Sequence, residues 1–340
     1  MTRTARLSVP LVWLAALGLV MAACTPSTGA LGTPATPPAT TQPSIEAPSS
    51  GDQTPEPTAT AVEPSASPAE PGSSATTAPT AAPSPTPTPA GTTIVRAYFF
   101  LGSFTGNAGL VPVLRVVPRT VAVATAAMSA LIAGPNAGEL APANGNPAMY
   151  TTVPTGTKLL GITITGGVAT VNLSAEFASG GGSASIFGRL AQVVYTLTQF
   201  PTIQSVLFKL DGQPVTTFSG EGVILDHAVA RADYYDQLPG IFVDRPAWGA
   251  VLGNPGTISG LANVFEAQFS FELRGADGGL LAHQGVMANC GTGCRGTFSA
   301  TVAYELDRPQ WGVLRVFALS PKDGSPMYVT EYPVWLAPAG

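Results

Sequence analysis

Cys290 and Cys294 are the residues whose type and spacing promise the most definite chemistry, with Gly-Thr-Gly between them. A tight turn of that length brings two Cα atoms within the roughly 4.4–6.8 Å that a disulfide needs, and outside the cell pairing is the default. A redox or metal role is the alternative, but C-x3-C is neither the thioredoxin spacing nor half of a visible zinc site. Asp226, Asp233, Asp236 and Asp244 invite a calcium reading. They lack the tight alternation of an EF-hand-type loop, so the segment carrying them reads as a solvated linker. Gly180-Gly181-Gly182 precedes a predicted helix whose first amides could hold an anion, although a flexible loop is the simpler reading. Trp248, Trp311 and Trp335 would stack sugars if exposed and coplanar, and otherwise serve as core or edge packing. His227 and His283 fall in predicted loop or edge positions, and the chain has no G-x-S-x-G, H-E-x-x-H or P-loop motif. These residues predict no catalytic, metal or cofactor site.

The elements that position these residues begin with the stretch from Ser185 to Val215. Ile186, Leu190, Val193, Val194 and Leu197 form one apolar stripe at a period of 3.6, with Arg189, Gln192, Thr196 and Gln199 on the other side. Ser183 or Ser185 is the expected cap, and Pro201 stops the helix after Phe200. The period then becomes two through Val206, Phe208 and Leu210, and Asp211-Gly212 forms a hairpin turn. Upstream, Ile94–Leu101 and Leu110–Val117 read as strands. Thr120 is the expected cap of a helix that ends at Gly134-Pro135. Lys158–Leu173 reads as a hairpin turning at Gly166-Gly167. Helices covering one face of a small sheet give an α+β domain over residues 94–226. Residues 227–240 read as the interdomain linker. From 241 to 336 the pattern alternates almost throughout, with Phe265, Ala267, Phe269, Phe271 and Leu273 on one face and Phe298, Ala300, Val302, Tyr304 and Leu306 repeating it. About seven such strands predict an all-β sandwich.

The N-terminal quarter has a different composition. Of 33 prolines, 16 lie between Thr25 and Thr93, together with five acids and no Lys or Arg. Such a segment cannot bury enough apolar surface to offset its ordering entropy, so residues 24–93 are expected to be a disordered Pro/Thr/Ser-rich tether. Beyond it stand 13 basic and 15 acidic side chains. That near-neutral balance gives no reason to expect nucleic acid as a partner. Ahead of the tether, Arg3 and Arg6 precede the apolar run LVWLAALGLVMAA, a signal-peptide core too short for a comfortable membrane span. Its end, Ala22-Ala23-Cys24, resembles a bacterial lipobox, with Met21 where Leu is more usual. The resemblance implies removal of residues 1–23 and acylation (palmitate among the chains) of Cys24. Membrane contact is then through that residue, each buried methylene contributing about 0.8 kcal/mol.

VPVLRVV, ATAAMSALIAGP, VPTGTKLLGITITGGVATVNLSAEF and LAQVVYTLTQFPTIQSVLFKLDGQPV together resemble the GerMN domain of sporulation and germination proteins. Where many relatives carry Asp in a DLS motif, this chain has Asn172. IFVDRPAWGAVLGNP, VFEAQFSFELRGADGG and CGTGCRGTF resemble the immunoglobulin-like domain of bacterial spore germination proteins, over the whole second unit. What the resemblance implies is a non-enzymatic lipid-anchored protein on the extracytoplasmic face of the membrane, acting as an interaction or assembly module. The implied partner is an envelope protein or the cell wall, and a homo-oligomer is a further expectation. The alternatives are an accessory lipoprotein that modulates a membrane sensor kinase, and a wall-glycan-binding module.

Overall fold

The computed structural model describes residues 91–102, 107–140, 148–218, 220 and 222–339. Cys24, the signal segment and all but the last residues of the tether lie outside the described residues. The folded part belongs to one compact unit. Its first domain opens with β1 (Thr92–Leu101) and β2 (Gly109–Pro118), an antiparallel pair in which Arg96 lies opposite Leu114 and Tyr98 opposite Pro112. Helix α1 (Val123–Ala133) follows and stops at Gly134, which has φ 82° and stands directly before Pro135. The short β3 (Met149–Tyr150) pairs with the far end of β1.

Next come β4 (Leu159–Thr165) and β5 (Val168–Leu173), joined by Gly166 and Gly167 with φ 57° and 83°, the left-handed pair that a two-residue hairpin demands. Helix α2 (Ser183–Leu197) crosses over to β6 (Ser205–Leu210), which lies parallel to β5, and Asp211-Gly212 turns the chain into β7 (Gln213–Pro214). A two-stranded ribbon, β8 (Thr217–Phe218) with β9 (Val223–Ile224), ends the domain. The strands divide into two sheets, β2-β1-β3 and β4-β5-β6-β7, rather than the one small sheet expected. β1 has a long partner on one edge only, so its other edge must be satisfied by something else.

Two local expectations are corrected. The helix starts have no side-chain caps: α1 is preceded by Ala122, whose N–H donates to the Thr120 hydroxyl, and α2 by Gly182. α2 ends at Leu197, three residues before Phe200. The polar side of α2, whose surroundings the spacing leaves open, is buried: Arg189, Gln192 and Thr196 are as enclosed as its leucines. Periodicity groups residues on one face without saying what that face meets.

The second domain is a sandwich. One sheet is β10 (Ile241–Arg245), β12 (Gly256–Ala262) and β15 (Gly296–Val302). The other runs β11 (Val251–Leu252), β17 (Pro326–Leu336), β16 (Gln310–Leu319), β13 (Gln268–Arg274) and β14 (Leu280–Met287). Phe271, Leu273, Leu314, Val316 and Val334 fill the space between the sheets, and Phe269 meets Phe298 edge-on at 4.7 Å. The alternation starts later than expected: residues 265–267 form a 3₁₀ turn, and Phe265 is half exposed. Residues 227–240 are packed rather than solvated, with Val229, Tyr234 and Leu238 all buried and a 3₁₀ segment over Arg231–Gln237. No helix among the described residues is long and apolar enough to cross a membrane.

Candidate functional site

The buried polar face of α2 completes β1. Gln192 donates its Nε2 to the Tyr98 carbonyl at 2.8 Å, and the Thr196 hydroxyl accepts the Tyr98 N–H at 3.3 Å. One turn on, Gln199 Oε1 accepts the Arg96 N–H at 2.8 Å while its Nε2 donates to the Arg96 carbonyl at 2.7 Å. Two helix side chains and Gln199, just past the helix end, thus supply the hydrogen bonds that a neighbouring strand would have made, and a buried edge without them would be costly. The close approach needs Gly188, where a Cβ would stand 2.9 Å from the Thr152 hydroxyl oxygen and 3.1 Å from the Phe100 ring. Gln192 Oε1 also accepts the Thr152 N–H at 2.9 Å, tying the loop after β3 to the same helix.

The face of β1 carrying Arg96 and Tyr98 meets the second domain. Asp244, at the end of β10, accepts the Tyr98 hydroxyl at 2.6 Å and pairs with Arg96 at 3.2 Å and Arg231 at 3.5 Å. Arg231 also donates to the Tyr98 hydroxyl and to Thr198 Oγ1, and its guanidinium lies 4.7 Å from the Tyr195 ring centre. Burial alone would raise the Asp244 pKa; Arg231, Arg96 and the tyrosine hydroxyl outweigh it and hold the carboxyl below the usual range. Burial, with Asp244 next to it, pushes Tyr98 far up, so its proton stays on. Every group of this cluster is committed to another member, an arrangement that fixes geometry and leaves no acid or base poised near neutral pH. Backbone bonds reinforce the joint, since Leu114 donates to the Trp248 carbonyl at 3.0 Å and Trp248 to that of Pro112 at 2.8 Å.

Beside the joint lies a cleft of about 470 Å³. Its floor is the same face of β1 and β2 at Ile94, Arg96 and Leu114. Gln199 and Phe200 close one side, and the second domain contributes Asp244, Arg245 and Val251. Ile94 and Val251 are 66% and 61% exposed, so two large apolar side chains stand at the rim of a partly charged groove.

The residues singled out from the sequence do not converge on this cleft, Asp244 excepted. Asp226, Asp233, Asp236 and Asp244 form no metal-holding group among the described residues: Asp226 bonds His227, Asp233 accepts the Ala230 N–H, and Asp244 serves the joint. His283 sits mid-way along edge strand β14. The loop at Gly180–Gly182 is held by Arg189, itself 1% exposed, which donates to the carbonyls of Phe177, Ser179 and Gly180. Trp248 packs against Tyr332 at the joint, and Trp311 meets Trp335 at 77°, so the three rings make no coplanar platform. Cys290 and Cys294 face each other across their turn with Cα atoms 5.9 Å apart. Arg96, Tyr98, Tyr195 and Arg231 were missed by motif reasoning. The available signal was an Arg and a Tyr inside the apolar run of β1 and an Asp after Ile-Phe-Val in β10.

Residues 96–216 match the Germane family model, described as sporulation and spore germination. Residues 240–325 match the Gmad2 model, the immunoglobulin-like domain of bacterial spore germination. No curated protein matches the chain significantly. Among solved structures, a Clostridium perfringens chain with the provisional name lipoprotein is 23% identical over 42% of this chain and 90% of its own, with a TM-score of 0.28. The tandem GerMN domains of the Bacillus subtilis sporulation protein GerM are 17% identical, covering 63% of this chain and 62% of theirs, at a TM-score of 0.34. The first of those domains alone is 21% identical over 41% of this chain and 99% of its own, at 0.31. At these scores the structural likenesses add nothing about partners or activity.

Proposed function

Since its folded part is a GerMN-type sporulation and germination domain followed by an immunoglobulin-like domain of bacterial spore germination, we propose that the protein is a non-enzymatic, lipid-anchored module of the cell envelope. It binds another envelope protein through the cleft beside its interdomain joint. The observation that carries this reading is the pairing of a saturated ion cluster with an open, apolar-rimmed groove: the charged groups hold the two domains together, and the groove is left for a partner. Acylated Cys24 supplies the membrane attachment, and the tether sets the reach. The sensor-kinase reading is a special case in which the partner is the kinase's extracytoplasmic part. The glycan reading is disfavoured by the edge-to-face geometry of Trp311 and Trp335. A photocrosslinking residue at Val251 in intact cells should trap a discrete protein adduct, while the same probe at His283 should not. Absence of any protein adduct from Val251 and from a panel of other exposed positions would remove the interaction-module reading.

A further inference from the structure

We infer that the cleft takes an extended, acidic segment of a partner protein, added as a strand to the open edge of β1 at Ile94. This rests on the interaction-module reading and names the chemistry of the partner. Along a strand, alternate residues turn their backbone groups to the same edge. Arg96 and Tyr98 turn their backbone N–H and C=O toward α2, where Gln199, Thr196 and Gln192 satisfy them. Ile94 is two residues earlier, so its N–H and C=O point to the same edge, away from β2. The helix ends at Leu197, and the last side chain after it to reach β1, Gln199, is spent on Arg96. No described group bonds Ile94 on that side. This open stretch of edge borders the cleft.

A strand laid on that edge would gain backbone hydrogen bonds from Ile94 and place alternate side chains over the groove, beside Ile94 and Val251. Charge selects among strands. The cleft is lined by two arginines, Arg96 and Arg245, and a single carboxylate, Asp244; that carboxylate is already paired with Arg96 and Arg231, and Arg245 makes no ion pair among the described residues. The chain as a whole carries a net charge of −5, so this positive excess runs against the general balance. It disfavours a second copy of the same cleft and favours a segment alternating apolar and acidic residues.

The test is fluorescence polarisation on the full chain. The probe is a labelled octapeptide of alternating Val and Glu, with a Val/Lys counterpart and a version N-methylated at alternate amides. Ile94→Pro removes the donor from the open edge without touching the β1–β2 ladder. Proline is already accommodated at comparable positions of β2, where Pro112 and Pro118 lie opposite Tyr98 and Thr92. Saturable binding of the acidic probe is expected. Its Kd should rise at least tenfold with Ile94→Pro and with Arg245→Glu, and the Val/Lys and N-methylated probes should bind at least tenfold more weakly to the unaltered protein. Should Ile94→Pro fail to fold, the N-methylated probe still decides, because it changes the ligand alone. Equal affinity for methylated and unmethylated probes, or no binding of the acidic probe, overturns the inference. A dimer in sedimentation that Ile94→Pro dissolves, without binding of the acidic probe, overturns it in favour of a second copy. If the probe fails while Val251 still gives a crosslinked adduct, strand addition alone has failed; if both fail, the interaction-module reading has failed with it.

Discussion

Replacing Asp244 with Ala tests whether the ion cluster couples the two domains. The carboxylate pairs with Arg96 at 3.2 Å and Arg231 at 3.5 Å, with side-chain exposures of 22%, 13% and 25% for Asp244, Arg96 and Arg231. At such distances and an effective dielectric of about 20, each attraction is about 5 kcal/mol before desolvation. Breaking a fully buried pair costs about 3–5 kcal/mol because the abandoned charge stays uncompensated. Here water reaches all three groups, so a net loss of about 2–3 kcal/mol is the better figure. For a folded part of this size that lowers Tm by roughly 5–10 °C. The variant should also split one cooperative transition into two, read by intrinsic fluorescence against far-UV circular dichroism. The pH dependence has a definite sign. The folded carboxyl sits below its unfolded value of about 3.9, so its contribution is complete above about pH 4 and is lost as pH falls through the folded value. Wild type should therefore lose stability below pH 4 more steeply than Asp244→Ala. A variant within about 0.5 kcal/mol of wild type that keeps a single transition would refute the coupling.

Four further outcomes are expected. Gln192→Leu, which strips the Tyr98 carbonyl and the Thr152 N–H of their partner, should cost about 2–3 kcal/mol in urea denaturation, and a cost under about 0.5 would mean that water replaces the amide. Cys24→Ser should release the protein from membranes or leave its leader attached; normal fractionation and acyl labelling of that variant would sink the lipid anchor. Deleting residues 30–85 should leave the thermal transition of the folded part unchanged, and a clearly lower Tm would mean that the tether packs on it. Cys290→Ala with Cys294→Ala should still fold and lose about 2 kcal/mol, as expected for so small a loop, while two alkylatable thiols in freshly secreted protein would refute the bridge.

What was legible in the sequence was whatever depends on neighbours along the chain. The apolar stripe of α2, the Gly166-Gly167 and Asp211-Gly212 turns and the alternating strands of the sandwich follow from local period and turn chemistry. The joint depends on pairs far apart. Tyr98 and Asp244 are 146 residues apart, and each looks like a routine strand residue until the other is placed beside it. The polar stripe of Arg189, Gln192, Thr196 and Gln199 was visible at helical spacing, but not what it faces. Only the unfilled edge of β1 shows why it is buried, and that edge comes from strands dividing between two sheets.

That division links the candidate site to the fold. A strand with one long partner must have its second edge covered, left open or paired with something from outside. Along β1 the coverage changes with position: β3 at Phe100 and Leu101, glutamine and threonine side chains at Tyr98 and Arg96, and nothing described at Ile94. Arg96 stands at the boundary. Its backbone is held by Gln199 of the first domain and its side chain by Asp244 of the second. A partner strand arriving at Ile94 would therefore lie next to Arg96, which like Tyr98 belongs to both the sheet edge and the joint. Arg96 thus gives an arriving strand direct contact with a residue whose side chain is committed to the joint.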